Sequence, residues 1–141
     1  NCLFKNILGD GLDFSGSTVF LRSAQFENVK DKAVSAGERS IVNANELKIL
    51  KSGTGVASKD GSKVKIVRSS FKEMKNIALM AYVKKTEYEA GGSIIAKKLK
   101  VDDPLKMAKA QIGSEITIDE KSISTENVDV KLLYASGDMK R

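Results

Sequence analysis

The chain has 141 residues, five phenylalanines, three tyrosines, one cysteine, no tryptophan and no histidine, and its formal net charge is +6. Without imidazole it lacks the usual base for a serine or cysteine nucleophile and the commonest transition-metal ligand, which argues against a protease, an esterase or a zinc enzyme. No stretch approaches the roughly 20 apolar residues that span a bilayer as a helix, and a single cysteine excludes an internal disulfide framework, leaving Cys2 a buried apolar role.

From its first residues the chain repeats itself. Phe4-Lys5-Asn6 returns as Phe26-Glu27-Asn28, Val34 as Val56 and Ser40 as Ser62, each 22 positions on. A first coil runs from Phe4 to Gln25, a second from Phe26 to Glu46 and a third from Leu47 to Ser70, and a fourth opens at Phe71. Each offers short apolar runs such as Val19-Phe20-Leu21, Ile41-Val42 and Val64-Lys65-Ile66-Val67, separated by Gly, Ser, Asn or Asp. Runs of three to five residues between turn-forming residues are strands, and the glycine, serine and β-branched content disfavours helix. A repeat of this length filled with strands predicts an all-β, right-handed parallel β-helix of about four to five coils.

Like positions then stack about 4.8 Å apart. Leu12, Val34, Val56 and Leu79 are expected to form one inner ladder, and Phe4, Phe26, Ile49 and Phe71 another. Ser17, Ser40 and Ser62 should stack at one corner and bond neighbouring backbone, as Asn6 and Asn28 should at a second.

Beyond Tyr82-Val83, the stretch Lys84 to Gly92 reads as a charged loop, after which Ile94-Ile95 and Leu99-Lys100-Val101 resume as strands. Asp102-Asp103-Pro104 predicts a capped helical turn. Ile112, Ile116-Thr117-Ile118, Ser122-Ile123 and Val128 to Tyr134 suggest alternating strands of a closing coil, and Ala135 to Arg141 a frayed tail. Residues 1–98 are thus expected to form the coils, and 99–141 the last coil and cap of the same domain. Because Asn1-Cys2-Leu3-Phe4 already lies in the repeat, the chain is expected to be the C-terminal piece of a longer β-helix, with upstream coils as its first partner.

The stretches Asp10 to Ser17, Asp31 to Ser40, Gly55 to Ser62 and Tyr82 to Tyr88 resemble successive turns of bacterial right-handed β-helix proteins of the pectate-lyase-like superfold. The resemblance covers residues 1 to about 95. It implies an exported protein of the cell envelope or exterior and polysaccharide as the class of partner, since catalytic members act on polysaccharides. It transfers no activity residue by residue and implies no cofactor.

Two chemistries suit a chain whose reactive groups are carboxylates and lysines. A glycosidase sets two carboxyl groups about 5 to 9.5 Å apart, and an offset of 22 lays Glu38 over Asp60, with Lys59 and Lys84 beside them. A polysaccharide lyase instead uses a basic side chain near acids that bind Ca²⁺, for which Asp10, Asp13 and Asp31 with Lys32 or Lys59 are the candidates. Against these stand plain ion pairing of Glu38 and Asp60 with Lys59, Arg39 and Lys32, and a tight turn at Asp10-Gly11-Leu12-Asp13.

Between Lys59 and Lys100 eleven basic residues face four acidic ones. That balance suits an anionic polysaccharide or simply keeps sheet surfaces soluble. Nucleic acid is disfavoured because no aromatic residue is interleaved with arginine in a binding motif. A sugar-binding face is expected from Lys59, Asp60, Tyr82, Lys84, Lys85 and Tyr88, the tyrosines stacking on rings and the lysines meeting carboxylate or sulfate. The leading expectation is a non-catalytic module of a larger bacterial secreted or envelope protein; the alternative is a lyase or hydrolase of a uronate-containing polymer.

Overall fold

A computed structural model describes residues 1–135 and 139. It is all-β, a parallel β-solenoid of about five turns. The first coil contains β1 (Cys2–Ile7), β2 (Leu12–Ser15) and β3 (Thr18–Arg22), one strand for each of three faces. Next come β4 (Ala24–Gly37), β5 (Ile41–Asn45), β6 (Lys48–Lys59), β7 (Lys63–Tyr82) and β8 (Ser93–Val101). Every pairing among these eight strands is parallel.

Both expected ladders form. Leu12 pairs with Val34, Val34 with Val56 and Val56 with Leu79, while Phe4, Phe26, Ile49 and Phe71 pair in the same way on the first face. The rings of Phe4 and Phe26 stack with centroids 4.8 Å apart and planes 12° from parallel, the offset geometry aromatic pairs favour. A third ladder, Val19, Val42, Val64, Ile94 and Ile116, fills the remaining face. The serine ladder also forms, with the Ser40 hydroxyl accepting from the Ser17 N–H and the Ser62 hydroxyl from the Ser40 N–H, both at 3.1 Å. Asn28 donates its side-chain amide to the Asn6 carbonyl oxygen at 2.8 Å.

The strands are longer than the expected three to five residues; β4 has 14 and β7 has 20. At its first and third corners the chain turns on single left-handed residues, and at the second, between strands, on pairs such as Glu38-Arg39 and Asp60-Gly61. Asn6, Asn28, Lys51 and Glu73, each at φ 57°, stack at the first corner, and Ser23, Glu46, Arg68 and Lys98 at the third, with φ from 50° to 58°. The second corner stacks Gly16, Glu38 and Asp60, also left-handed. Beside the first corner small residues alternate as Gly11, Ala33, Gly55 and Ala78. A Cβ on Gly55 would lie 2.5 Å from the Ala78 carbonyl oxygen and 2.8 Å from the Phe71 ring, so the phenylalanine ladder needs glycine there.

The far end departs from expectation. After β8, Pro104–Lys106 makes the expected turn as one 3-10 turn, capped by Asp103, whose carboxylate accepts from the Leu105 N–H at 3.0 Å. Strands β9 (Ala108–Gln111), β10 (Glu115–Ile118), β11 (Lys121–Ser122) and β12 (Thr125–Glu126) follow. Asp119 and Glu120 both have positive φ, the two-residue hairpin geometry, and fold β11 back antiparallel onto β10. Beyond that hairpin β12 returns to parallel pairing, against β9. Val128 to Tyr134, expected as a strand, instead yields a helix, α1 (Val130–Ala135), with Leu132 N–H bonded to the Asp129 carboxylate at 3.0 Å. Val130, Leu133 and Tyr134 have helical spacing and pack on the outside of the second face, against Ala57, Met80 and Tyr82.

Of the tail expected to fray, Met139 is buried in this same cluster; residues 136–138, 140 and 141 lie outside the described residues. Cys2, expected to be buried, is exposed. It lies on the outermost rung, whereas Ala24, its partner one coil in, is covered. No helix among the described residues is long and apolar enough to cross a membrane.

Candidate functional site

The expected acids and lysines gather around the second corner and the outer side of the second face. Glu38 and Asp60 do stack at the corner, where the Arg39 N–H donates to the Asp60 carbonyl oxygen at 3.0 Å. Their carboxylates serve different partners. Glu38 is half-buried, pairs with the Lys85 ammonium and accepts from the Ser15 hydroxyl. The Lys85 ammonium, then Ser15, holds its carboxyl below the usual carboxylate range, and Glu38 in turn raises the Lys85 ammonium. Asp60 is buried and accepts from the backbone N–H groups of Lys84 and Lys85, both at 2.8 Å, so it organises the loop entry.

Asp10 and Asp31 flank Lys32. This lysine is fully buried, its Nζ 2.9 Å from Asp31 and 3.4 Å from Asp10. Asp31 lies within a slip in the pairing between Val29 and Lys32, where β4 carries one residue more than β6. Asp13 sits apart, exposed, 3.9 Å from the Lys59 ammonium. Burial pushes the Lys59 amine below its ordinary pKa, with Asp13 opposing. No three carboxylates or cysteines among the described residues come together as a metal site, so Asp10, Asp13 and Asp31 do not form the expected Ca²⁺ set; a lysine ammonium occupies the place between two of them.

The tyrosines differ from expectation. Tyr82, expected to offer its face to a sugar, is completely buried beneath α1. Its hydroxyl shares a short hydrogen bond with that of Tyr134 and lies 3.5 Å from the Met139 sulfur. Burial raises its pKa well above the ordinary tyrosine value. The Tyr134 ring carries the Lys84 ammonium 4.5 Å and the Lys32 ammonium 5.4 Å from its centroid. Lys59 and Asp60 are likewise buried, so Lys84, Lys85 and the half-buried Tyr88 alone remain reachable from the expected face. The Arg39 guanidinium lies 5.4 Å from the centroid of the Tyr88 ring.

A basic surface not foreseen from sequence lies at the third corner. Arg68 and Lys98 stack there, Lys48 and Lys100 line one flank, and Arg22, Lys65 and Lys97 stand on the other. Its signal was masked by the loop: Lys98 falls 30 positions after Arg68 rather than 22, so the simple period fails to stack them. No protein-family model matches this chain, and neither a curated protein nor a solved structure matches it.

Proposed function

We propose that this chain is a non-catalytic β-helix module of a larger bacterial secreted or envelope protein, and that it binds an acidic polysaccharide. The carrying observation is a set of exposed lysines without ion-pair partners beside candidate catalytic acids that are all engaged. Lys48, Lys63, Lys65, Lys97, Lys98 and Lys100 are exposed and make no ion pair among the described residues. By contrast Glu38, Asp60, Asp10 and Asp31, the acids that chemistry would require, are already engaged by lysines or backbone amides. A surface of uncompensated cations attracts polyanions at a rate and strength that fall with added salt. Titration with polygalacturonate and with a neutral glucan, each followed by assays for new reducing ends and unsaturated products, tests the reading. Salt-sensitive binding to the acidic polymer alone, without product, is the expected result; equal binding to both polymers, or none to either, defeats it.

One observation favours a second reading, a polysaccharide lyase or hydrolase. Lys59, with its amine pushed down by burial, faces Asp13 close to Asp10 and Lys32, and a lysine of lowered pKa is a competent base. Turnover of an acidic polysaccharide that is lost in Lys59→Met, or in Glu38→Gln or Asp60→Asn, would establish it over the passive role.

A further inference from the structure

We propose that the acidic polysaccharide lies along the solenoid axis in the groove at the third corner, where face three meets face one, with the cations of successive coils meeting successive anionic groups. This rests on the reading above for the class of ligand and adds its place, direction and polarity.

The groove crosses every coil. Its lining passes from Leu3 through Gln25, Lys48, Ser70 and Lys100 on one wall and from Ser23 through Glu46, Arg68 and Lys98 along the corner. Those residues belong to five successive rungs in register. At about 4.8 Å per rung the groove is roughly 19 Å long, a channel for an extended chain rather than for a compact metabolite.

Its charge is graded. At the first two coils the lining is neutral and polar or apolar, with Asn1, Leu3, Ser23 and Gln25; from the third coil onward it carries Lys48, Arg68, Lys98 and Lys100. Two acids touch this surface and both are engaged. Glu46 lies 3.8 Å from the Arg68 guanidinium and accepts from the Ser23 hydroxyl at 2.8 Å, and Asp119 accepts from the Lys98 N–H at 2.9 Å. Lys48, Lys98 and Lys100 keep their charge for a ligand. The ligand's densest anionic stretch therefore lies over the third to fifth coils.

Single-stranded nucleic acid is the competing polyanion. Binding it without sequence preference relies on aromatic side chains that stack on bases, and no aromatic residue lines this groove. The hydroxyls of Ser69 and Ser70 beside the cations match a polymer of hydroxyls and carboxylates instead.

The test compares the chain with two triple variants of equal charge change, Lys48→Glu/Lys98→Glu/Lys100→Glu in the groove and Lys30→Glu/Lys51→Glu/Lys75→Glu around the first corner. Polygalacturonate oligomers are titrated at several salt concentrations, and oligo-dT of matched charge serves as the other polyanion. The groove triple should weaken polygalacturonate binding by about tenfold or more and flatten its salt dependence, and the first-corner triple should change affinity by less than about threefold. Should charge reversal unfold the chain, as a thermal melt will report, the pair Lys98→Gln/Lys100→Gln carries the same comparison. Equal loss in both triples overturns the groove while leaving polysaccharide binding standing. No binding of polygalacturonate by the unaltered chain overturns the functional reading itself, and tighter binding of oligo-dT overturns the choice of polymer.

Discussion

Lys32 and Lys59 are both lysines withdrawn from water, and they differ in what removing them would strand. Lys32 is shared by two carboxylates whose side chains are themselves almost wholly covered, 4% exposed for Asp10 and 7% for Asp31. Lys32→Met would leave buried acids without a cation, which costs about 3–5 kcal/mol, read as a lowered urea midpoint at constant slope. Lys59→Met should be neutral or stabilising at pH 7, because burial is the chief influence on this amine and its acid, Asp13, is exposed. The sign in alkaline solution follows. A folded-state pKa below the ordinary 10.5 means that between the two values the unfolded chain holds more protons, so stability rises with pH across that window. Melts at increasing pH should show that rise in the parent chain and its loss in Lys59→Met. At this scale the sequence placed acids and lysines together without revealing which were covered. Tyr82 illustrates why: beside a run of charged residues it resembles a loop aromatic, and only its pairing with Lys59 sets it on the outer face under α1.

Along each element, the apolar periodicity was legible because an inward side chain must repeat when every coil rests on its neighbour. The corners were not, because Glu46, Lys51, Arg68 and Glu73 adopt left-handed φ without the glycine or asparagine that signals it. Holding such a residue left-handed costs about 1–2 kcal/mol, offset here by the pairing that continues on either side. Asn6 and Asn28 show a cheaper solution, since asparagine tolerates the conformation and its amide bonds the asparagine one rung away. Lys51→Asn would extend that ladder by a rung. It should stabilise the chain by about 1 kcal/mol, visible as a higher melting temperature; a fall would show that the lysine side chain contributes more than its backbone conformation costs. The helix α1 had a readable start in Asp129, but its alternating apolar residues fit a strand equally well, and the hairpin at Asp119-Glu120 that folds β11 back onto β10 carries no glycine.

For the molecule as a whole, stability is a sum of rung-on-rung interfaces, with α1 and Met139 adding a layer outside the coils. Deleting residues 127–141 would uncover Ala57, Met80 and Tyr82 and take the Tyr134 partner from a buried hydroxyl. Losing the cover over two large side chains should cost about 3 kcal/mol, measurable by urea unfolding; an unchanged midpoint would mean the outer layer adds nothing to the coils. Another whole-molecule consequence comes from the stretch between β7 and β8. Lys84 and Lys85 are exposed there, outside any strand, while Lys97, Lys98 and Lys100 are also exposed but are held in β8 against β7. A brief exposure to trypsin should therefore sever the backbone at 84 or 85 before it touches β8. The severed chain should nonetheless migrate as one particle in gel filtration, separating into two bands when denatured, because a winding molecule joins its halves sideways as well as end to end.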